Sequence, residues 1–232
     1  GRAMALGLAE AGADIAGMYN TRCDETQAAV EGLGRRFLPI QCNLAEADVP
    51  ALQAIVERVV AGLGGLDILV NNAGTIRRAP ALEFSQEDWD EVMQVNLRSL
   101  FFLSQAAARH MAAQGGGKII HVASMLSFQG GITVPSYTAA KSGVAGLTRA
   151  MANEWAPLGI NVNAIAPGYM ATDNTAALRA NPDRNRAILD RIPAGDWGQA
   201  DDLKGLVVLL ASDASRYMHG SIVPVDGGWL AR

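Results

Sequence analysis

Short runs rich in valine, isoleucine and leucine recur down the chain, each bounded by turn residues and followed by a stretch with helical spacing; this alternation limits the fold more than any other feature. Strand-like runs are read at residues 14–19, 36–42, 66–70, 118–123, 160–166 and 221–225. Helices are read at 1–11, 25–33, 49–63, 87–113, 136–156 and 200–211. In the helix at 49–63, Leu52, Ile55, Val56, Val59 and Val60 fall on one face. Pro182 and Pro193 bracket a stretch with no clear period, read as mobile. Strands that alternate with helices of ten or more residues form βαβ units, so an α/β fold built on a parallel sheet is expected.

The 232 residues suffice for one domain with a substantial core, and no repeat, low-complexity tract or linker divides them. Half are hydrophobic and 18% charged, which is a globular composition. A net charge of −4 argues against nucleic acid or an anionic membrane as partner. Cys23 and Cys42 lie in no metal-ligand or redox pattern, which points to a reducing cytoplasm. No apolar run approaches the ~20 residues of a membrane span, and no signal-peptide pattern opens the chain. His110, His121 and His219 suggest no metal site; His121, in mid-strand, reads as a satisfied core residue.

Tyr137 and Lys141 are four residues apart on an expected helix, so phenol and ammonium project from one face. A phenol titrates near ~10, and bringing it to ~7 takes about 4 kcal/mol. A cation ~4 Å away at an effective dielectric of ~20 supplies roughly that much. The pair therefore has the means to exchange a proton with a carbonyl/alcohol couple. Around it stand Asn71-Asn72-Ala73-Gly74 after an apolar strand, Asn96 in Val95-Asn96-Leu97, Ser124 after another strand, and Pro167-Gly168 after a third.

This ordered set resembles the short-chain dehydrogenase/reductase family along the whole chain. The resemblance implies a single Rossmann-like, doubly wound parallel sheet with helices on both faces, one dinucleotide-binding and catalytic domain over residues 1–232. It implies Tyr137 as general acid/base, Ser124 as hydrogen-bond donor to the substrate oxygen, Lys141 as neighbour of phenol and nicotinamide ribose, and Asn96 as holder of a relay water. Gly1 matches only the last glycine of the family's phosphate loop. The first strand and most of that loop are thus read as absent from residues 1–232, with Gly1 at the first helix N-terminus, where pyrophosphate binds. Asn71, Ala73 and Gly74 would line the cofactor, and Pro167, Gly168 and Thr172 would hold its carboxamide.

NAD-preferring members of the family usually carry an Asp at the end of the family's second strand, here residues 14–19. That position is Tyr19, followed by Asn20, Thr21 and Arg22, with no acid to take both ribose hydroxyls or repel a 2′-phosphate. Asn43 stands where the family often has an Asp facing the adenine amine; an amide oxygen accepts the same bond. The subgroup resemblance that follows favours NAD, with NADP not excluded. Arg77-Arg78, the segments 81–85, 123–131 and 191–195, and the C-terminal 225–232 resemble a sugar-acid-oxidising subgroup. A polyhydroxy carboxylate calls for a guanidinium fork and for amides. Arg77 or Arg78 is expected to take the carboxylate, with Gln129 and Ser124 beside it. A homo-oligomer, tetramer or dimer, is implied through the helices at 87–113 and 136–156. Two rivals stand: an NADP-dependent 3-oxoacyl carrier-protein reductase or gluconate 5-dehydrogenase of the same family, and a cofactor-binding scaffold without chemistry.

Overall fold

The computed structural model describes residues 1–232. In chain order its elements are α1 (Arg2–Glu10), β1 (Ile15–Tyr19), α2 (Asp24–Gly32), β2 (Phe37–Gln41), α3 (Val49–Leu63), β3 (Ile68–Asn71), α4 (Gln86–Met93), α5 (Ser99–Gln114), β4 (Gly117–Val122), α6 (Pro135–Trp155), β5 (Ile160–Pro167), α7 (Ala176–Ala180), α8 (Pro182–Leu189), α9 (Lys204–Ala211) and β6 (Ile222–Val225). Every strand pairing is parallel. Alternate residues of β4 face opposite layers, as the pleat demands. Ile119 packs with α3, α5 and α6 through Leu52, Val56, Leu103 and Met151. Ile120 packs with α1 and α9 through Met4, Leu8, Val207 and Leu210. Helices therefore cover both faces. No helix is long and apolar enough to cross a membrane.

With the family's first strand read as absent from residues 1–232, the sheet stands in two parts. Strands β1 and β2 pair with each other, and β3-β4-β5-β6 form a separate four-stranded sheet. Between β1 and β3 lies a cavity of about 710 Å³, lined by Ile15, Met18, Ile68, Val70, Leu8 and Val56 among others. No strand of residues 1–232 occupies that interval, so the facing edges of β1 and β3 have no ladder between them.

Two helical readings need correction. The helix expected at 87–113 is broken: α4 and α5 are joined by one π-helical turn, Gln94–Arg98. The stretch between Pro182 and Pro193, read as mobile, carries α8. There Asn181 Oδ1 accepts the Arg184 N–H at 3.0 Å, and Pro182 occupies the first turn. Its polar composition, with Ile188 alone buried, hides the helical period.

Candidate active site at the carboxyl ends of the strands

Helix α6 brings the chemistry to the sheet. Its inner stripe, Tyr137, Lys141, Val144 and Thr148, follows the 4-3-4 spacing of a helix face; the last three are nearly or fully buried. The Lys141 ammonium is 3% exposed and donates to the Val122 carbonyl at 2.6 Å, at the end of β4. No carboxylate pairs with it, and burial lowers its pKa from 10.5 to about 8. Its nitrogen lies 5.7 Å from the centre of the Tyr137 ring.

The phenol behaves differently from the sequence expectation. Burial pushes the Tyr137 pKa up, while the Ser124 hydroxyl and the Arg78 charge pull it down. The ammonium is directed at the Val122 carbonyl, so the depression expected from Lys141 is not present in this arrangement. Ser124 closes the third side. Its oxygen accepts the Leu126 N–H at 3.2 Å, and its own proton is directed to the Tyr137 oxygen, where a substrate oxygen can also receive it. Ser127 Oγ donates to the Lys141 carbonyl at 2.7 Å, a bond that pins the loop after β4 to α6.

Asn96 sits in the π-helical turn, fully buried. Its oxygen accepts the Thr75 N–H at 2.7 Å and its amide donates to the Thr75 carbonyl at 2.8 Å. This reciprocal pair ties the segment after β3 to the catalytic face. A Cβ on Gly74 would meet Asn96 Oδ1 at 3.2 Å and Lys141 Nζ at 3.8 Å, so a side chain there would crowd the Asn96 amide. Asn71, also buried, donates to Ser104 Oγ at 2.9 Å. At the neighbouring strand end, a Cβ on Gly168 would lie 2.5 Å from Asp226 Cα; packing alone requires glycine there.

The remaining predicted residues divide by their neighbours. Arg77 is spent on an ion pair with Glu91 at 2.7 Å, with Asp88 at 3.3 Å, and so turns away from the role given it in the sequence reading. Arg78 has only the Asn174 carbonyl at 3.4 Å, and its charge reaches the Tyr137 phenol. Gln129 Oε1 accepts from Arg191 at 3.3 Å, leaving its amide protons free. The Arg191 guanidinium stacks on the Trp229 ring at 3.9 Å, an arrangement with no local sequence signal, since the two residues are distant in the chain. Asn43 Oδ1 already accepts the Ala45 N–H at 3.2 Å. Thr172 is exposed at a turn after β5, beside Pro167 and Gly168.

The residues present fit a dinucleotide. The α1 N-terminus at Gly1 has no side-chain cap, so its first-turn N–H groups are available to a phosphate, and Gly1, Tyr19, Arg22, Asn71, Asn72 and Ala73 border one continuous hollow. A buried cation without a carboxylate partner, Lys141, faces the same end of the sheet.

The chain belongs to the short-chain dehydrogenase/reductase family, and is an oxidoreductase of that class; the family described as Enoyl-(acyl carrier protein) reductase matches residues 1–230. Among its relatives, the 2-dehydro-3-deoxy-D-gluconate 5-dehydrogenase of Escherichia coli is 62% identical over 100% of this chain and 91% of its own length. The protein of the same name from Bacillus subtilis is 52% identical, again over 100% of this chain and 91% of its own. A solved gluconate 5-dehydrogenase from Burkholderia cenocepacia, in complex with NADP and tartrate, is 39% identical with a TM-score of 0.92, covering 99% of this chain and 90% of that one.

Proposed function

We propose that this chain transfers a hydride between a nicotinamide cofactor and the ketone or secondary alcohol of a sugar acid of the 2-dehydro-3-deoxy-D-gluconate type, within one domain that binds both. The observation that carries this reading is the meeting of Ser124, Tyr137 and Lys141 with the Arg78 charge close enough to act on the phenol. A bound nicotinamide supplies the hydride site and, when oxidised, a positive charge beside the phenol. Ser124 donates to the substrate oxygen, Tyr137 gives or takes the proton at that oxygen, and Lys141 stabilises the phenolate once the Val122 carbonyl is no longer its sole partner. Arg78 receives the carboxylate, Arg77 being committed to Glu91, and the free amide protons of Gln129 serve the hydroxyls. The names of the relatives support the substrate class.

For the cofactor, the sequence reading favoured NAD. The absence of a carboxylate after β1 and the NADP bound by the Burkholderia relative support acceptance of the 2′-phosphate as well, with Arg22 as its partner. Assembly into a homo-oligomer is part of the same proposal; Leu97, Phe101 and Leu147 border a groove on the α4–α6 face, and light scattering of the purified protein tests it.

The test is an absorbance assay that offers 2-deoxygluconate, gluconate and a 3-oxoacyl thioester with either cofactor. Turnover of the sugar acids supports the proposal. Turnover of the thioester alone with NADPH would establish the acyl-reductase alternative instead, and no turnover of any substrate would favour the scaffold.

A further inference from the structure

Beneath the catalytic groups lies a buried polar chain that the proposed reaction does not use. His121 is fully buried in β4, next to Val122, and its register partners are Asn71 on β3 and Ala164 on β5. Its Nδ1 lies 2.9 Å from Thr148 Oγ1 on α6, and its Nε2 lies 3.2 Å from Ser104 Oγ on α5. Ser104 Oγ accepts from Asn71 at 2.9 Å. Both hydroxyls also approach their own helices, Ser104 at the Leu100 carbonyl and Thr148 at the Val144 carbonyl, each at 2.7 Å.

Counting protons shows what this arrangement does. A neutral imidazole, two hydroxyls and one amide hydrogen supply four protons for the five contacts. A fifth proton would make a buried imidazolium, which burial and the nearby Lys141 charge oppose. One hydroxyl must therefore point at the imidazole and leave its helix carbonyl, so the imidazole is a bridge and not a filler. That bridge meets α6 seven residues beyond Lys141, two helical turns along the same face. Lys141–Val122 and Thr148–His121 thus anchor α6 to successive residues of β4.

We propose that His121 is a positioning residue, an uncharged bridge between α5, α6 and the end of β3 that sets where along β4 the catalytic face of α6 rests. The inference relies on the reading that Tyr137 and Lys141 carry the chemistry. Sliding or rolling α6 would shift both groups against the strand ends, and a misplacement of ~1 Å in such a site costs on the order of tenfold to a hundredfold in rate.

His121→Phe tests this with little risk to folding, because each hydroxyl then has its own helix carbonyl within 2.7 Å to donate to and no buried polar group is orphaned. Turnover is measured on whichever substrate the wild type uses, sugar acid or neutral ketone, beside dinucleotide binding by tryptophan fluorescence. The expected result is a fall in kcat of about tenfold or more with KM for the substrate within about twofold, and recovery of most of the loss in His121→Asn, which restores a polar bridge. Thr148→Val, which cuts the bridge from the helix side, should lower kcat in the same way and decides the matter if the phenylalanine variant does not fold. Wild-type kcat in a folded His121→Phe or in Thr148→Val would overturn the proposal, as would an asparagine variant no better than phenylalanine. A wild type that turns over only neutral ketones would sink the sugar-acid reading and leave this test intact.

Discussion

Under the proposed function, Tyr137, Arg78 and Lys141 each yield a distinct expectation, with Arg77 as the contrast. Tyr137→Phe removes one hydroxyl that makes no bond essential to the fold, so kcat should fall by ~10²–10⁴ while the melting temperature stays within a few degrees. Turnover near the wild-type rate would exclude the phenol as acid/base. Arg78→Ala should raise KM for a sugar acid by roughly tenfold to a hundredfold and spare a neutral ketone, the range expected for a hydrogen bond to a charged group. Arg77→Ala should do neither, since its partner is Glu91; equal effects from the two arginines would overturn the division of roles made here. Lys141 adds a pH dependence. Its pKa is about 8 folded against 10.5 for the free side chain, so below pH 8 both states hold the proton and the cost of burying it is complete. Between those values the unfolded chain binds more protons, so stability rises with pH, by roughly 3 kcal/mol in all. Lys141→Met should abolish that rise in denaturant midpoints measured from pH 7 to 10, and an unchanged slope would refute it. At this scale Tyr137 and Lys141 stand out in the sequence by their spacing, and Ser124 and Asn96 by the family resemblance, whereas the choice between Arg77 and Arg78 depends on where Glu91 falls, which no local pattern records.

Among the elements, the interruption between α4 and α5 is the most informative. An asparagine inside a helix competes with the backbone for hydrogen bonds. Here that tendency is met by a π-helical turn and by the two bonds to Thr75, twenty-one residues away. Asn96→Ala would leave the part-buried N–H and C=O of Thr75 without this partner, so a loss of about 1–2 kcal/mol in urea unfolding is expected together with reduced kcat. A variant as stable as the wild type would show that the turn holds without this pair. The sequence reading treated residues 87–113 as one helix because the apolar period carries on through the π turn; the extra residue changes phase by less than the period can reveal. It missed α8 for the opposite reason, a helix whose period is nearly all polar, although Asn181-Pro182 was a readable start.

For the molecule as a whole, strand count and parallel direction were evident from the alternation of apolar runs, and so was the order of helices on two layers. What the sequence could not display was which strand pairs with which and in what register, because that is written only in three dimensions. The pairing carries a dynamic consequence. Strands β4 and β5 have a hydrogen-bonded neighbour on each side, but β6 has β5 alone. Amides of β6 should therefore exchange with deuterium earlier than those of β4 and β5 in native-state hydrogen exchange. Equal protection in all three would mean that the sheet opens as one unit.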